Sequence, residues 1–195
     1  MSKYVCYKSR NTPTLLIITT EERQVSLYTF TTDMKIEDDV QYILSRNFML
    51  VDCEAIRHGN HHCIRQMFIL AKDGFSSLSR EFRPCIDYTE LCEKDRKSFI
   101  YCRRNIHKLE YYPTAYADRC VNSLTIIKDF ITTNNINLLL YKGGIIEKRL
   151  AEKLNIASYN IEKVGAPKVD SHDPEVEVNA HWNFLLQRGC ILNLL

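Results

Sequence analysis

The stretch Phe48-Met49-Leu50-Val51-Asp52-Cys53-Glu54 decides how the rest of the chain is read. Four apolar residues in a row that end in polar ones are the signature of a buried strand in an α/β core. Asp52 and Glu54 then stand two apart at the C-terminal end of that strand, so both carboxylates project from one face and Cys53 from the other. Two carboxylates on one face repel each other unless a cation sits between them, and the hard, oxygen-preferring ions Mg²⁺ and Mn²⁺ are the usual answer. A solvated strand end is the plainer reading of the same pair.

Working outward, Ile64–Ala71 reads as a second strand closed by Asp73-Gly74, and 79–86 as a third that Pro84 confines to an edge or an end. Before them, Ile36, Val40, Ile43 and Leu44 mark one face of a short helix. Residues 3–8, 14–20 and 24–31 are β-rich, the last two joined as a hairpin by Glu21-Glu22-Arg23. After them, 89–110 favours helix, and Leu124, Ile127 and Ile131 give a helical stripe over 115–132 that Asn134-Asn135 stops. Ile136–Tyr141 is another apolar strand, and Gly143-Gly144 turns the chain into a helix over 145–155 with Ile146, Leu150 and Leu154 inward. A short strand follows at 157–162. Asp173-Pro174 then opens a last helix that Gly189 is expected to end. Strands first, then alternating α and β, predict a mixed sheet with helices packed on it.

The chain has 195 residues, 45% of them hydrophobic and 26% charged, which excludes a disordered tail, a collagen or a coiled-coil rod. One domain is expected: a β-rich extension over 1–47 and a core over 48–188. No apolar run approaches the ~18–20 residues of a membrane span, and the N-terminus has no signal-peptide core. A cytoplasmic or nuclear protein without membrane attachment is expected. The eight cysteines are scattered with no CxxC pair, and read as reduced thiols. With 26 basic against 24 acidic residues, a grip on a long duplex by charge alone is excluded, and any nucleic-acid contact must be local.

Three further residues can carry chemistry. Glu147 lies in the first turn of the helix after Gly143-Gly144, where the helix dipole also favours an acid. His172 precedes the last helix and Glu177 lies in its first turn, so the histidine as base and the carboxylate as metal ligand can face one cleft. Each pair taken separately reads as an exposed cap.

Taken in order, these features resemble the DEDDh 3′–5′ exonucleases: Asp-x-Glu, the strand Ile64-Arg65-Gln66-Met67-Phe68-Ile69-Leu70-Ala71, a helical acid after a strand and turn, then His-x-x-x-x-acid. The stretch Asn105-Ile106-His107-Lys108-Leu109 resembles the link between the family's first two motifs, and the likeness covers 48–188. It implies a ribonuclease H-like fold and two Mg²⁺ or Mn²⁺ ions on Asp52, Glu54, Glu147 and Glu177, with Glu54 also catalytic. It further implies His172 as general base and hydrolysis from the 3′ end of single-stranded RNA or DNA, RNA slightly favoured.

The chain departs from that family in three places. Both later acids are glutamate rather than aspartate, Lys142-Gly143-Gly144 replaces the usual His-Asn, and the connection from Glu147 to His172 is short. These bring it closer to the Maelstrom domain, which is similar in fold, has lost the acidic set and binds RNA. The alternative is therefore a catalytically degenerate nuclease-fold module that binds RNA or a protein partner without cleavage. Zinc is not expected: Cys53, His58 and Cys63 can converge, but nothing completes a strong motif. Residues 57–63, His61 among them, read as a polar loop beside the cleft. Arg96, Lys97, Arg103, Arg104, His107 and Lys108 interleave with Tyr101, Tyr111 and Tyr112, as in single-strand binders, although a solvated helix face explains them equally. Lys142 is placed to touch a phosphate. Trp182 and Phe184 read as core, and the apolar tail Ile191–Leu195 as a surface for self-association or a protein partner.

Overall fold

The computed structural model of the chain describes residues 3–8, 13–18, 25–29, 34–113, 117–169, 171 and 173–192. Strands β1 (Lys3–Lys8), β2 (Pro13–Ile18) and β3 (Val25–Thr29) form an antiparallel sheet of their own, in which β2 and β3 pair as the predicted hairpin. The link Glu21-Glu22-Arg23 lies outside the described residues. Helix α1 (Met34–Ser45) follows, with Val40 and Ile43 buried as the spacing predicts.

The second sheet holds the core. Strands β4 (Phe48–His58), β5 (His61–Ala71) and β6 (Ser77–Arg83) run as an antiparallel meander. Helix α2 (Glu93–Asn105) leads towards the two-residue strand β7 (Asp118–Arg119), which pairs parallel with β6. Helix α3 (Ser123–Thr133) precedes β8 (Leu138–Tyr141), and helix α4 (Ile145–Leu154) precedes β9 (Ala157–Asn160); β8 lies parallel to β4, and β9 parallel to β8. Helix α5 (Pro174–Leu192) closes the fold. The strand order β7-β6-β5-β4-β8-β9 makes a mixed six-stranded sheet flanked by helices, a ribonuclease H-like α/β fold.

The alternation of β4 sorts the two faces. Met49, Val51 and Cys53 pack with Ile127, Leu150 and Ala151 of α3 and α4, whereas Phe48 and Leu50 pack with α1 and α5 through Ile43, Val178 and Leu185. Strand pleating extends the second face to Asp52 and Glu54, under α5. Trp182 and Phe184 pack on this α1/α5 side, as read from the sequence.

Four sequence expectations are corrected. Asp52 and Glu54 lie in the middle of β4, which runs on to His58 through a bulge between Glu54 and Ala55. Residues 57–63 are the two strand ends and the tight turn of a hairpin, not a loop. Gly59 takes φ +58, and its N–H donates to Asp95 Oδ2 of α2 at 2.7 Å. Helix α3 begins at Ser123, after β7 and a short 3-10 turn at Cys120–Asn122. Finally, α5 continues through Gly189, because there the helix lies against α1: a Cβ on Gly189 would stand 2.8 Å from Leu44 Cδ1. Close packing, not termination, is the reason for this glycine. Among the described residues no helix is long and apolar enough to cross a membrane.

Candidate active site

Four carboxylates lie close enough to feel one another's charge where β4, α4 and α5 converge. Glu147 sits in the first turn of α4 and is only 4% exposed. Its Oε1 accepts the N–H of Cys53 at 3.1 Å, which places this acid against β4 between Asp52 and Glu54. Its Oε2 is buried and, among the described residues, has no hydrogen-bond partner. An unpartnered buried carboxylate oxygen costs about 1–3 kcal/mol or more unless something meets it. Glu177 reaches the same space from the first turn of α5.

The electrostatics follow from that crowding. Burial first, then the charges of Glu147, Glu177 and Glu54, push the Asp52 carboxyl up to about 8. Burial, Glu147 and Glu177 push Glu54 up to about 7, and burial also raises Glu147. Among the described residues, no lysine or arginine enters as a compensating partner for any of these three. Among the described residues, no three of these acids bring ligand oxygens within 4.8 Å of one another. Like charges in a half-buried site hold apart until protons or a cation join them. The donor set is all oxygen, with one inward-facing oxygen unsatisfied, and that fits one or two hard divalent ions.

The glycine turn before α4 shapes the site. A Cβ at Gly144 would lie 2.0 Å from Glu147 Oε2, so this carboxylate folds back over the turn into space that any side chain would fill. Lys142, at the start of the same turn, donates to the Pro167 carbonyl at 2.6 Å and lines an open cleft of about 640 Å³ with Glu162, Lys168, Ser171 and Glu177. His172, the expected general base, lies outside the described residues. Its neighbour Asp173 accepts Glu175 N–H at 2.9 Å as the cap of α5.

Sequence reasoning passed over His181, one turn beyond Glu177. It is 4% exposed, and its Nε2 donates to the Pro167 carbonyl at 3.2 Å, so His181 and Lys142 hold one oxygen and fix the segment that borders the cleft. The spacing of four from Glu177 was its only signal.

The expected nucleic-acid contacts separate in space. Lys108 is exposed, with φ +57, and lines a second cleft with Arg103, Arg104, Tyr88, Tyr111 and Tyr112. His107 beside it is 5% exposed, and its Nδ1 accepts Leu109 N–H at 3.0 Å; it braces the turn and does not offer its ring to a strand. His61 is exposed at the start of β5 beside the hairpin turn. Residues 193–195 of the apolar tail lie outside the described residues. The zinc set weighed from sequence does not form: Cys53 is in the core between β4 and α4, whereas Cys63 faces Cys85 and Cys120.

No protein-family model matches the chain, and a search of curated proteins finds no similar sequence. The functional reading therefore rests on the residues themselves.

Proposed function

We propose that the chain is a metal-dependent 3′–5′ exonuclease acting on single-stranded RNA or DNA ends, with Asp52, Glu54, Glu147 and Glu177 as the ion-holding set. The observation that carries this reading is the convergence of Asp52, Glu54, Glu147 and Glu177 from β4, α4 and α5 on a half-buried site where, among the described residues, no lysine or arginine offsets Asp52, Glu54 or Glu147 and one oxygen of Glu147 is orphaned. Bound there, Mg²⁺ or Mn²⁺ would polarise a phosphoryl oxygen and acidify a water. The chain's own residues do the rest. His172 takes the proton of the attacking water, whose oxygen bonds to phosphorus as the bond to the 3′ oxygen breaks, releasing a nucleoside 5′-monophosphate and a new 3′-hydroxyl. Lys142 and Lys168, which border the cleft beside Glu177, attract the phosphates of the strand. Tyr112 and Lys108 offer aromatic and cationic surface for bases further along it.

A non-cleaving RNA-binding or partner-binding module is the second reading, and the hydrogen bond from Cys53 to Glu147 favours it, since a buried glutamate tied to the backbone of β4 can serve structure alone. One assay separates the two. 5′-Labelled RNA and DNA strands are incubated with Mn²⁺ or Mg²⁺ and wild type, Glu54→Gln or His172→Ala. A ladder shortening one nucleotide at a time, lost in both variants, supports the exonuclease. Strand binding without shortening under either metal sinks it and leaves the binding module.

A further inference from the structure

We propose a second metal centre in this chain: one Zn²⁺ held by the thiolates of Cys63, Cys85 and Cys120. The three sulfurs all lie within 4.8 Å of one another, with Cys63 Sγ 2.8 Å from Cys85 Sγ. A tetrahedral zinc with Zn–S bonds of about 2.3 Å sets its sulfurs roughly 3.8 Å apart, which this range brackets. Among the described residues this is the one group of three or more potential ligand atoms gathered so closely. Zinc, softer than Mg²⁺ or Mn²⁺, is the ion that three thiolates select over the oxygen-binding ions. The centre is therefore independent of the reading given to the carboxylates.

The fold brings these cysteines together from three places. Cys63 is buried on β5, Cys85 is exposed just beyond the end of β6, and Cys120 is half-buried in the 3-10 turn after β7. They border a cavity of about 420 Å³ that His61, His62, Arg149 and Lys153 also line, on the α3/α4 side of the sheet. Asp52 and Glu54 stand on the other side, by the alternation of β4. Arg149 and Lys153 offset the surplus negative charge of three thiolates around one divalent ion. Arg149 donates to His62 Nδ1 at 3.2 Å, so that nitrogen is already engaged and the fourth coordination position opens on the cavity.

The site also answers a structural need. Among the described residues, strand β7 joins the sheet by two residue pairs, Phe82 with Asp118 and Arg83 with Arg119. An ion bound by Cys63, Cys85 and Cys120 fastens the end of β6 and the turn after β7 to β5, reinforcing that sheet edge by coordination.

The test uses the full chain, tag-free and purified without added metal. Elemental analysis should find about one zinc per chain. Replacement of zinc by Co²⁺ should give the thiolate-to-cobalt charge-transfer band in the near ultraviolet, which carboxylate ligands do not produce. Cys85→Ser, at the surface and therefore tolerated by the fold, should lose both the zinc and the band, whereas Cys190→Ser and Asp52→Asn should keep them. Wild type with neither zinc nor the cobalt band overturns the proposal, and so does a Cys63–Cys85 disulfide found in unreduced peptides from freshly purified protein. Retention of zinc and band in Cys85→Ser overturns it equally.

Discussion

Replacing Asp52 by asparagine should stabilise the metal-free protein at pH 8, the reverse of what most substitutions at a half-buried polar site do. Burial and three neighbouring acids hold the Asp52 carboxyl at about 8 instead of its ordinary 3.8. Below pH ~4 the proton is bound in both the folded and the unfolded state, and the site costs nothing extra. As pH rises through the window between the two values, the unfolded chain has released the proton and the folded one still holds it, so stability falls. At about 1.4 kcal/mol per pH unit, the ceiling at pH 8 is about 5 kcal/mol. Solvent reaching this half-buried group cuts the effect to about 2 kcal/mol, or ~4–8 °C in a chain of this size. Asparagine keeps the shape and cannot ionise. Thermal unfolding in metal-depleted buffer should therefore show Asp52→Asn above wild type at pH 8 and level with it at pH 4. Saturating Mn²⁺ at a hundredfold over its Kd should raise wild type by about 2.7 kcal/mol and the variant far less. A variant less stable than wild type at pH 8, or equal Mn²⁺ shifts in both proteins, refutes the argument that Asp52 is an uncompensated acid awaiting a cation.

Other perturbations read other parts of the structure. Gly144→Ala places a methyl 2.0 Å from Glu147 Oε2 and should weaken Mn²⁺ binding about tenfold, ~1.4 kcal/mol, as titrated by calorimetry, with the fold retained. Gly74→Ala combines φ +73 with a Cβ 2.4 Å from Trp182 Cζ2 and should cost about 2–4 kcal/mol in urea unfolding, with no effect on metal binding. Lys142→Ala removes a cation from the cleft and one of the two donors to Pro167; kcat/KM on a single-stranded end should fall about tenfold, and more at low salt than at high.

The sequence carried the fold further than it carried the site. Apolar runs and periodicity gave the elements of the core because burial alone decides them: Leu138–Tyr141 is buried throughout, and Ile127 and Leu150 sit on the inner faces of their helices. Local rules failed where tertiary contact overrode them. Gly189 looks like a helix stop and is a contact with Leu44, and the stretch 57–63 looks like a loop because polar hairpin ends have no apolar alternation. His107, grouped with exposed cations by its neighbours in sequence, is turned inward by the left-handed backbone at Lys108. The carboxylates were legible since Asp52 and Glu54 are local, and strand and turn place Glu147. The thiol cluster was not, as Cys63 and Cys85 are 22 residues apart and share no spacing that marks a ligand pair.

Two departures from the exonuclease pattern, read separately from the sequence, become one feature in space. A glutamate in place of aspartate at position 147 is one methylene too long for a site of fixed backbone, and glycine in place of a larger residue at 144 looks like a lost contact. Yet Glu147 Oε2 occupies the volume that a side chain at 144 would claim, and Glu147 Oε1 is pinned by Cys53 N–H at 3.1 Å. The carboxylate folds back over the bare turn, with Oε2 above Gly144 and Oε1 on the backbone of β4 at Cys53. An ionisable group 4% exposed, raised by burial and left with an orphaned oxygen carries a cost that alanine or glutamine would relieve. The glycine and the glutamate are thus a matched pair, and the buried oxygen they leave without a partner among the described residues is the physical reason to look for an ion at this site.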